Sequence, residues 1–161
     1  MILSGTGAPA TLFFEDLHVG RSFDLGTVVA DRDEMIEFAR RYDPQWYHVD
    51  PERAAASPYG DVIASGFYTA GLFMRAYVNH VLSQAAASAS PGMEELRWFA
   101  AVHAGDRLAG RLEVIGAEPS TSRPGYGTAK IQAVLTRVAD GKDVFRTTFR
   151  GWFACRPAEE R

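Results

Sequence analysis

Residues 62–82 decide the fold; they read VIASGFYTAGLFMRAYVNHVL and form the longest apolar-rich stretch of the chain. From about Ser65 to Leu82 the apolar side chains occupy most of a helical circumference, which predicts a helix enclosed on several sides. Polar residues interrupt the stretch at Ser65, Thr69, Arg75, Asn79 and His80. This is too much polarity for an unaided membrane span, so we expect a buried helix that other elements cover.

Segments on both sides of this helix have the pattern of strands. Residues 23–29 suit a pleated strand, and from Glu94 onward apolar and polar residues alternate between turn signals. The turn signals are Gly105-Asp106, Pro124-Gly125 and Asp140-Gly141, the last of which predicts a hairpin. One strand, then helices, then four strands predicts an α+β fold in which an antiparallel sheet curls around the long helix.

Two further helices are predicted between the first strand and the long helix. Asp31 can cap the first of them, and Glu34 can complete a capping box. This helix ends at Asp43-Pro44, because proline disfavours helical geometry in the residue before it. The second is short, covers residues 51–56 and can be capped by Asp50.

Composition limits the classes of protein to consider. With 161 residues, of which 47% are hydrophobic, we expect a single domain over residues 1–161 with an ordered core at about 12–156, after a loose lead-in at Met1–Thr11. The net charge of -3 disfavours nucleic acid and membrane surfaces as partners. The lone Cys155 cannot form an internal disulfide, which favours a reducing cytoplasm.

The segment most suited to chemistry is YDPQWYHVDP, residues 42–51, which we interpret as a loop between two helices. Asp43 and His48 could face one cleft from this loop. A carboxylate and an imidazole together can take up and return protons near neutral pH. Both residues also have purely structural interpretations, since Asp43 can end a helix and His48 can bind a backbone carbonyl.

This segment resembles the hydratase 2 motif of MaoC-like proteins and R-specific enoyl-CoA hydratases, approximately Asp-x-Asn-Pro-apolar-His-x-Asp. Asp43, His48 and Asp50 match the motif, whereas Gln45 and Trp46 stand where asparagine and proline are usual. The spacing between the aspartate and the histidine is unchanged. The resemblance implies that Asp43 and His48 are catalytic and bind the attacking water between them.

A second match follows at residues 63–66, where Ile-Ala-Ser-Gly is similar to the Ile-Ala-His-Gly of the same family. The resemblance implies that the Gly66 N–H polarises the thioester carbonyl, as a free N–H at a helix N-terminus can do. Alternatively, Gly66 lets the helix approach the sheet closely. Ser65, Trp46 and Tyr47 are then candidates for contact with the substrate.

The resemblance covers most of the chain, from about Phe14 to Phe153, and implies a hot-dog fold. It also implies reversible addition of water to a trans-2-enoyl thioester, giving an R-configured 3-hydroxyacyl product of the kind found in fatty acid metabolism. The substrate would be an acyl-CoA or an acyl carrier protein thioester, with no bound cofactor and no metal. We expect a homodimer whose two sheets join edge to edge.

Two alternatives stay open at this point. The same fold could carry an acyl thioesterase, which attacks C1 of the thioester instead of C3. It could also be a non-catalytic acyl-binding subunit of a heterodimer, which the departures at Gln45, Trp46 and Ser65 would favour.

Overall fold

A long helix lies against one face of a five-stranded sheet in the computed structural model, which describes residues 1–158. A 3-10 turn at Phe14–Asp16 precedes the first strand. The strands and α-helices are, in chain order, β1 Ser22–Val29, α1 Arg32–Tyr42, α2 Trp46–Val49, α3 Pro51–Ala55, α4 Gly66–Tyr77, β2 Gly92–Trp98, β3 Arg107–Pro119, β4 Tyr126–Arg137 and β5 Asp143–Ala154. The predicted order of one strand, helices and four strands is confirmed.

The predicted long helix is α4, continued by a π-helical turn at Val78–Leu82. Ser65 caps its N-terminus, because its hydroxyl accepts a hydrogen bond from the Phe67 N–H. One face of α4 is buried, but Phe67 is 62% exposed and Met74 is 41% exposed. The helix is therefore covered on one face only. The expectation that it is covered on several sides is wrong for the face that carries Phe67 and Met74.

The sheet has the order β1-β3-β4-β5-β2 and every pairing in it is antiparallel. Alternation along the strands gives it one apolar face, as predicted, with Leu112, Ile131 and Leu135 buried on β3 and β4. This face packs on α4, where the Phe73 ring lies 5.8 Å from that of Phe145. Strands β1 and β2 form the two edges of the sheet.

The helix caps follow the sequence in part. Asp31 caps α1 by accepting hydrogen bonds from two backbone N–H groups, and Asp50 caps α3 by accepting one from Arg53. The expected capping box at Glu34 is wrong. The Glu34 carboxylate instead accepts a hydrogen bond of 3.0 Å from the Tyr68 hydroxyl of α4, which joins the two helices.

The N-terminal segment, expected to be a loose lead-in before an ordered core at residue 12, is bound to the rest of the chain. The Gly5 N–H donates to the Leu82 carbonyl at 2.9 Å, and the Thr11 N–H donates to the Gln84 carbonyl at 2.9 Å. These contacts place residues 1–11 against the end of the long helix.

Candidate active site

The segment that carries Asp43 and His48 is not a simple loop. Asp43 ends α1, and its backbone N–H donates to the Ala39 carbonyl at 2.8 Å. Because proline follows it, Asp43 leaves helical geometry at φ -152° and ψ 64°. The chain then forms the single turn α2, which contains His48. The interpretation of residues 42–51 as a loop is therefore wrong at α2. This turn directs the imidazole of His48 back toward Asp43.

The imidazole of His48 is fixed from both ends. Its Nδ1 lies 2.7 Å from the Ile63 carbonyl oxygen, which can only accept, so Nδ1 carries a hydrogen. Its Nε2 lies 3.4 Å from Oδ2 of Asp43. The His48 side chain is only 7% exposed and that of Asp43 is 22% exposed. In the neutral imidazole, Nε2 therefore presents its lone pair beside a carboxylate that water can reach.

Asp43 accepts two further side-chain hydrogen bonds. Gln45 Nε2 donates to Oδ1 at 2.8 Å, and the Ser65 hydroxyl donates to Oδ2 at 2.7 Å. The Gln45 amide, and after it the Ser65 hydroxyl, hold the pKa of the Asp43 carboxyl below its usual range. Asp43 is therefore ionised at neutral pH, as a group that accepts a proton must be.

Both structural interpretations of this pair are observed, because Asp43 ends α1 and His48 binds a backbone carbonyl. Neither excludes acid–base chemistry, since Oδ2 and Nε2 still face each other. Bonding through Nδ1 leaves Nε2 as the basic nitrogen of the neutral ring.

Gly66, Ser65 and Trp98 meet at the start of α4. Gly66 is the first residue of the helix, where an N–H group has no carbonyl one turn earlier to bind. The Trp98 Nε1 donates to the Gly66 carbonyl oxygen at 2.8 Å. Ser65 is fully buried, with its hydroxyl directed at Asp43, so the structure brings Asp43, His48, Ser65 and Gly66 together.

Asp43, His48 and Gly66 border a cleft of about 480 Å³, and the buried Ser65 lies behind Asp43 outside its lining. The cleft has an acid–base edge and an apolar wall, and its lining side chains include Asp43, Gln45, His48, Tyr59, Phe67, Thr69, Trp98 and Phe99. The structure places Ser65, Trp46 and Tyr47 outside this lining, so their contact with a substrate stays a prediction. The apolar wall of Tyr59, Phe67, Trp98 and Phe99 was not predicted as part of the site. For Trp98 and Phe99, the available signal was a pair of large aromatic residues at the end of a strand.

A second cavity, of about 340 Å³, lies at the other end of α4 between Met74, Met93 and Trp152. Its lining residues include no carboxylate and no histidine, so it offers no acid–base pair. Among residues 1–158, no group of three or more histidine, cysteine, aspartate or glutamate side chains is placed to hold a metal ion. No helix in that range is long and apolar enough to cross a membrane.

Comparison with known proteins adds to this geometry. The family model of the MaoC like domain matches residues 16–135. The 3-hydroxyacyl-thioester dehydratase Z of Mycobacterium tuberculosis is 32% identical over 99 residues, which are 61% of this chain and 62% of that protein. The chain thus spans less than two thirds of this curated relative.

Solved structures show the same architecture. The MaoC-like dehydratase from Rhodospirillum rubrum is 34% identical with a TM-score of 0.83, and the match covers 91% of this chain and 99% of that one. The R-hydratase PhaJ1 from Pseudomonas aeruginosa is 23% identical with a TM-score of 0.70, over 91% and 87% of the two chains. A Mycobacterium tuberculosis protein with a double hot-dog fold is 18% identical with a TM-score of 0.74, over 91% and 45%. The predicted α+β hot-dog fold is confirmed.

Proposed function

Because this chain belongs to the MaoC-like domain family, we propose that it is an R-specific enoyl-thioester hydratase that also runs in reverse as a 3-hydroxyacyl-thioester dehydratase. The observation that carries the proposal is the 3.4 Å approach of His48 Nε2 to Asp43 Oδ2, with Nδ1 bound to a carbonyl. Two proton acceptors thus face one point in a cleft that can admit a substrate.

A water molecule at that point can donate one hydrogen to the Asp43 carboxylate and the other to His48 Nε2. Asp43 takes a proton from the water as the oxygen bonds to C3 of the enoyl thioester, and His48 shares this transfer. The electrons of the double bond move toward the thioester oxygen, giving an enolate. The pair then returns a proton to C2, so that one water has been added. Such positioned proton transfers contribute about 10² to 10⁴-fold each.

The enolate oxygen needs a hydrogen-bond donor in this scheme, and the Gly66 N–H is the proposed donor. It lies at the start of α4, where the helix dipole also favours negative charge. The donor is main chain, so the serine at position 65 does not remove it. A lost donor of this kind typically costs about 10² to 10³-fold in kcat.

The proposed substrate is an acyl-CoA or acyl carrier protein thioester, with no bound cofactor. The aromatic residues Tyr59, Phe67, Trp98 and Phe99 of the cleft suit an apolar acyl chain. A cytoplasmic location belongs to the same proposal, because the lone Cys155 requires no oxidising compartment.

A homodimer joined through β2 also belongs to this proposal. Strand β2 pairs with β5 on one side only, and its Met93 and Trp98, together with Phe67 of α4, are between 42% and 62% exposed. An unpaired strand edge next to apolar side chains favours association with a second copy. Met93→Lys is expected to shift the sedimentation coefficient toward that of a monomer, whereas Val138→Lys, at an exposed turn, is not. An unchanged dimer in Met93→Lys would contradict this arrangement.

The activity is tested with crotonyl-CoA. Hydration removes the enoyl absorbance without releasing free thiol, whereas a thioesterase would release thiol. Asp43→Asn and His48→Ala are each expected to lower turnover by about 10² to 10⁴-fold. Asp33→Asn and His18→Ala, at exposed positions outside the cleft, are the matched controls. Thiol release, or full turnover in both dyad variants, would reject the proposal.

A further inference from the structure

Asp43 is held by a chain of hydrogen bonds that begins outside the cleft. The Tyr47 hydroxyl donates to Gln45 Oε1, and Gln45 Nε2 donates to Asp43 Oδ1 at 2.8 Å. The Tyr47 ring does not line the cleft. It packs between neighbouring rings, with centroids 5.3 Å from Trp46 and 5.6 Å from Tyr59.

The order of this chain follows from the chemistry of its groups. A carboxylate only accepts hydrogen bonds, so Gln45 must present its NH₂ end to Asp43. Its Oε1 then points away from Asp43 and accepts a hydrogen bond from the Tyr47 phenol. Gln45 is exposed, and without that donor its flexible side chain would have to be ordered by Asp43 alone.

We propose that Tyr47 is a positioning residue, which fixes the amide of Gln45 and through it directs Asp43 Oδ2 toward His48. The kinetic part of this inference rests on the proposed function. It gives Tyr47 a role different from the substrate contact expected from the sequence.

The groups that face Asp43 from each neighbouring element are few. His48 faces Oδ2 from α2, and the uncharged Ser65 faces it from the start of α4. Across the cleft, residues 98–102 carry no ionisable side chain. Among the described residues that line the cleft with Asp43, His48 and Tyr59 are titratable, and of these two it is His48 that contacts the carboxylate. Gln45 contributes a neutral hydrogen bond.

The first test measures the ionisation of Asp43 by ¹³C NMR of the side-chain carboxyl. Tyr47→Phe and Gln45→Ala should both raise the pKa of Asp43 toward its ordinary value of 3.8. The hydrogen bond from Gln45 is the largest cause of the lowered pKa; Gln45→Ala removes this bond and Tyr47→Phe weakens it. Tyr42→Phe is the control, because Tyr42 is exposed and lies outside the cleft. An Asp43 titration unchanged in Tyr47→Phe would overturn the inference, whether or not the protein hydrates enoyl thioesters.

The second test separates positioning from substrate contact. A positioning role predicts that Tyr47→Phe lowers kcat by about 10- to 100-fold with little change in KM, as a small misplacement of a catalytic group does. The acid limb of the pH profile of kcat/KM should shift to higher pH together with the Asp43 titration. A raised KM that grows with acyl-chain length, at unchanged kcat, would overturn the inference in favour of direct contact.

Discussion

The indole of Trp98 lies directly against Gly66, and its Nε1 donates a 2.8 Å hydrogen bond to the Gly66 carbonyl oxygen. A Cβ atom at position 66 would lie 2.6 Å from Trp98 Cε2, closer than real contacts allow. Strand β2 therefore holds the first turn of α4 through a contact that only glycine permits. The expectation that Gly66 allows close approach of helix and sheet agrees with this contact.

Gly66→Ala should displace Trp98 from the start of α4. The added methyl must push the indole away, which breaks its bond to the Gly66 carbonyl and disturbs the proposed oxyanion donor. We expect a fall in kcat of about 10² to 10³-fold, the range found for loss of one such donor. Stopped-flow turnover and the tryptophan emission maximum, which should shift as the ring moves, measure the two effects.

Gly71→Ala is the matched control on the same helix. No atom lies within 4 Å of a Cβ at this position, so the substitution meets open space. It should leave Trp98 emission unchanged and stabilise the protein by up to about 1 kcal/mol, because alanine is the better helix former. Equal effects of the two substitutions on Trp98 emission would contradict the packing argument.

Ser65→Ala removes two hydrogen bonds with different consequences. The hydroxyl accepts from the Phe67 N–H at 3.3 Å as the cap of α4, and its loss should lower the free energy of unfolding by about 0.5 to 2 kcal/mol. The same hydroxyl donates to Asp43, so the pKa of Asp43 should rise. Urea denaturation and ¹³C titration measure the two changes.

The pH dependence of Ser65→Ala has a defined sign. A carboxyl whose pKa is lowered by folding stabilises the protein above its unfolded pKa, and this contribution is lost as pH falls through the folded pKa. Raising the pKa of Asp43 therefore makes Ser65→Ala lose this contribution at a higher pH than the wild type. Asp31→Ala, which removes the cap of α1, should lose comparable stability with an unchanged Asp43 titration. A similar Asp43 shift in both variants would exclude a specific bond from Ser65.

The exposed ion pair of Arg32 and Asp61 gives a further pH prediction. The guanidinium donates hydrogen bonds of 2.6 and 2.8 Å to the carboxylate and lowers the pKa of Asp61 to about 2. Arg32→Gln should move the Asp61 titration back toward its ordinary value of 3.8. The stability difference between wild type and variant should be full above pH 3.8 and vanish as pH falls through about 2. ¹³C titration checks this, and Arg41→Gln, at another exposed pair, should leave Asp61 unchanged.

Sequence patterns predicted the features of this fold that depend on local spacing. Period-two alternation indicated the strands. The resemblance of residues 42–51 to a family motif, and not their spacing alone, indicated that Asp43 and His48 form an acid–base pair, and their side chains do face each other. The single turn α2 was missed because four residues carry too little periodicity to distinguish a turn of helix from a loop. Glu34 was predicted to complete a local capping box. Its actual partner, Tyr68, is 34 residues away along the chain, so local spacing could not reveal this hydrogen bond.

The missed parts of the candidate site are likewise contacts over long sequence distances. Ser65 reaches Asp43 across 22 residues, and Trp98 reaches Gly66 across 32 residues. Packing of α4 between α1 and the sheet brings these residues together, and the periodicity of a single sequence does not reveal such a pairing. Gln45, first noted as a departure from a family pattern, has a role only once its amide is seen between Asp43 and Tyr47.

Two buried tyrosines of α4 should respond differently to loss of their hydroxyl groups. The Tyr68 hydroxyl donates to Glu34 at 3.0 Å and accepts from the Asp31 N–H at 3.3 Å, so Tyr68→Phe should lower the free energy of unfolding by about 0.5 to 1.5 kcal/mol. Tyr77 is 4% exposed, burial raises its pKa, and its hydroxyl has no hydrogen-bond partner among the described residues. Tyr77→Phe should therefore leave stability unchanged or increase it, because removal of this hydroxyl breaks no hydrogen bond to a described residue. Urea denaturation of both variants at equal m-value provides the comparison, and a loss in Tyr77→Phe as large as that in Tyr68→Phe would contradict the assignment.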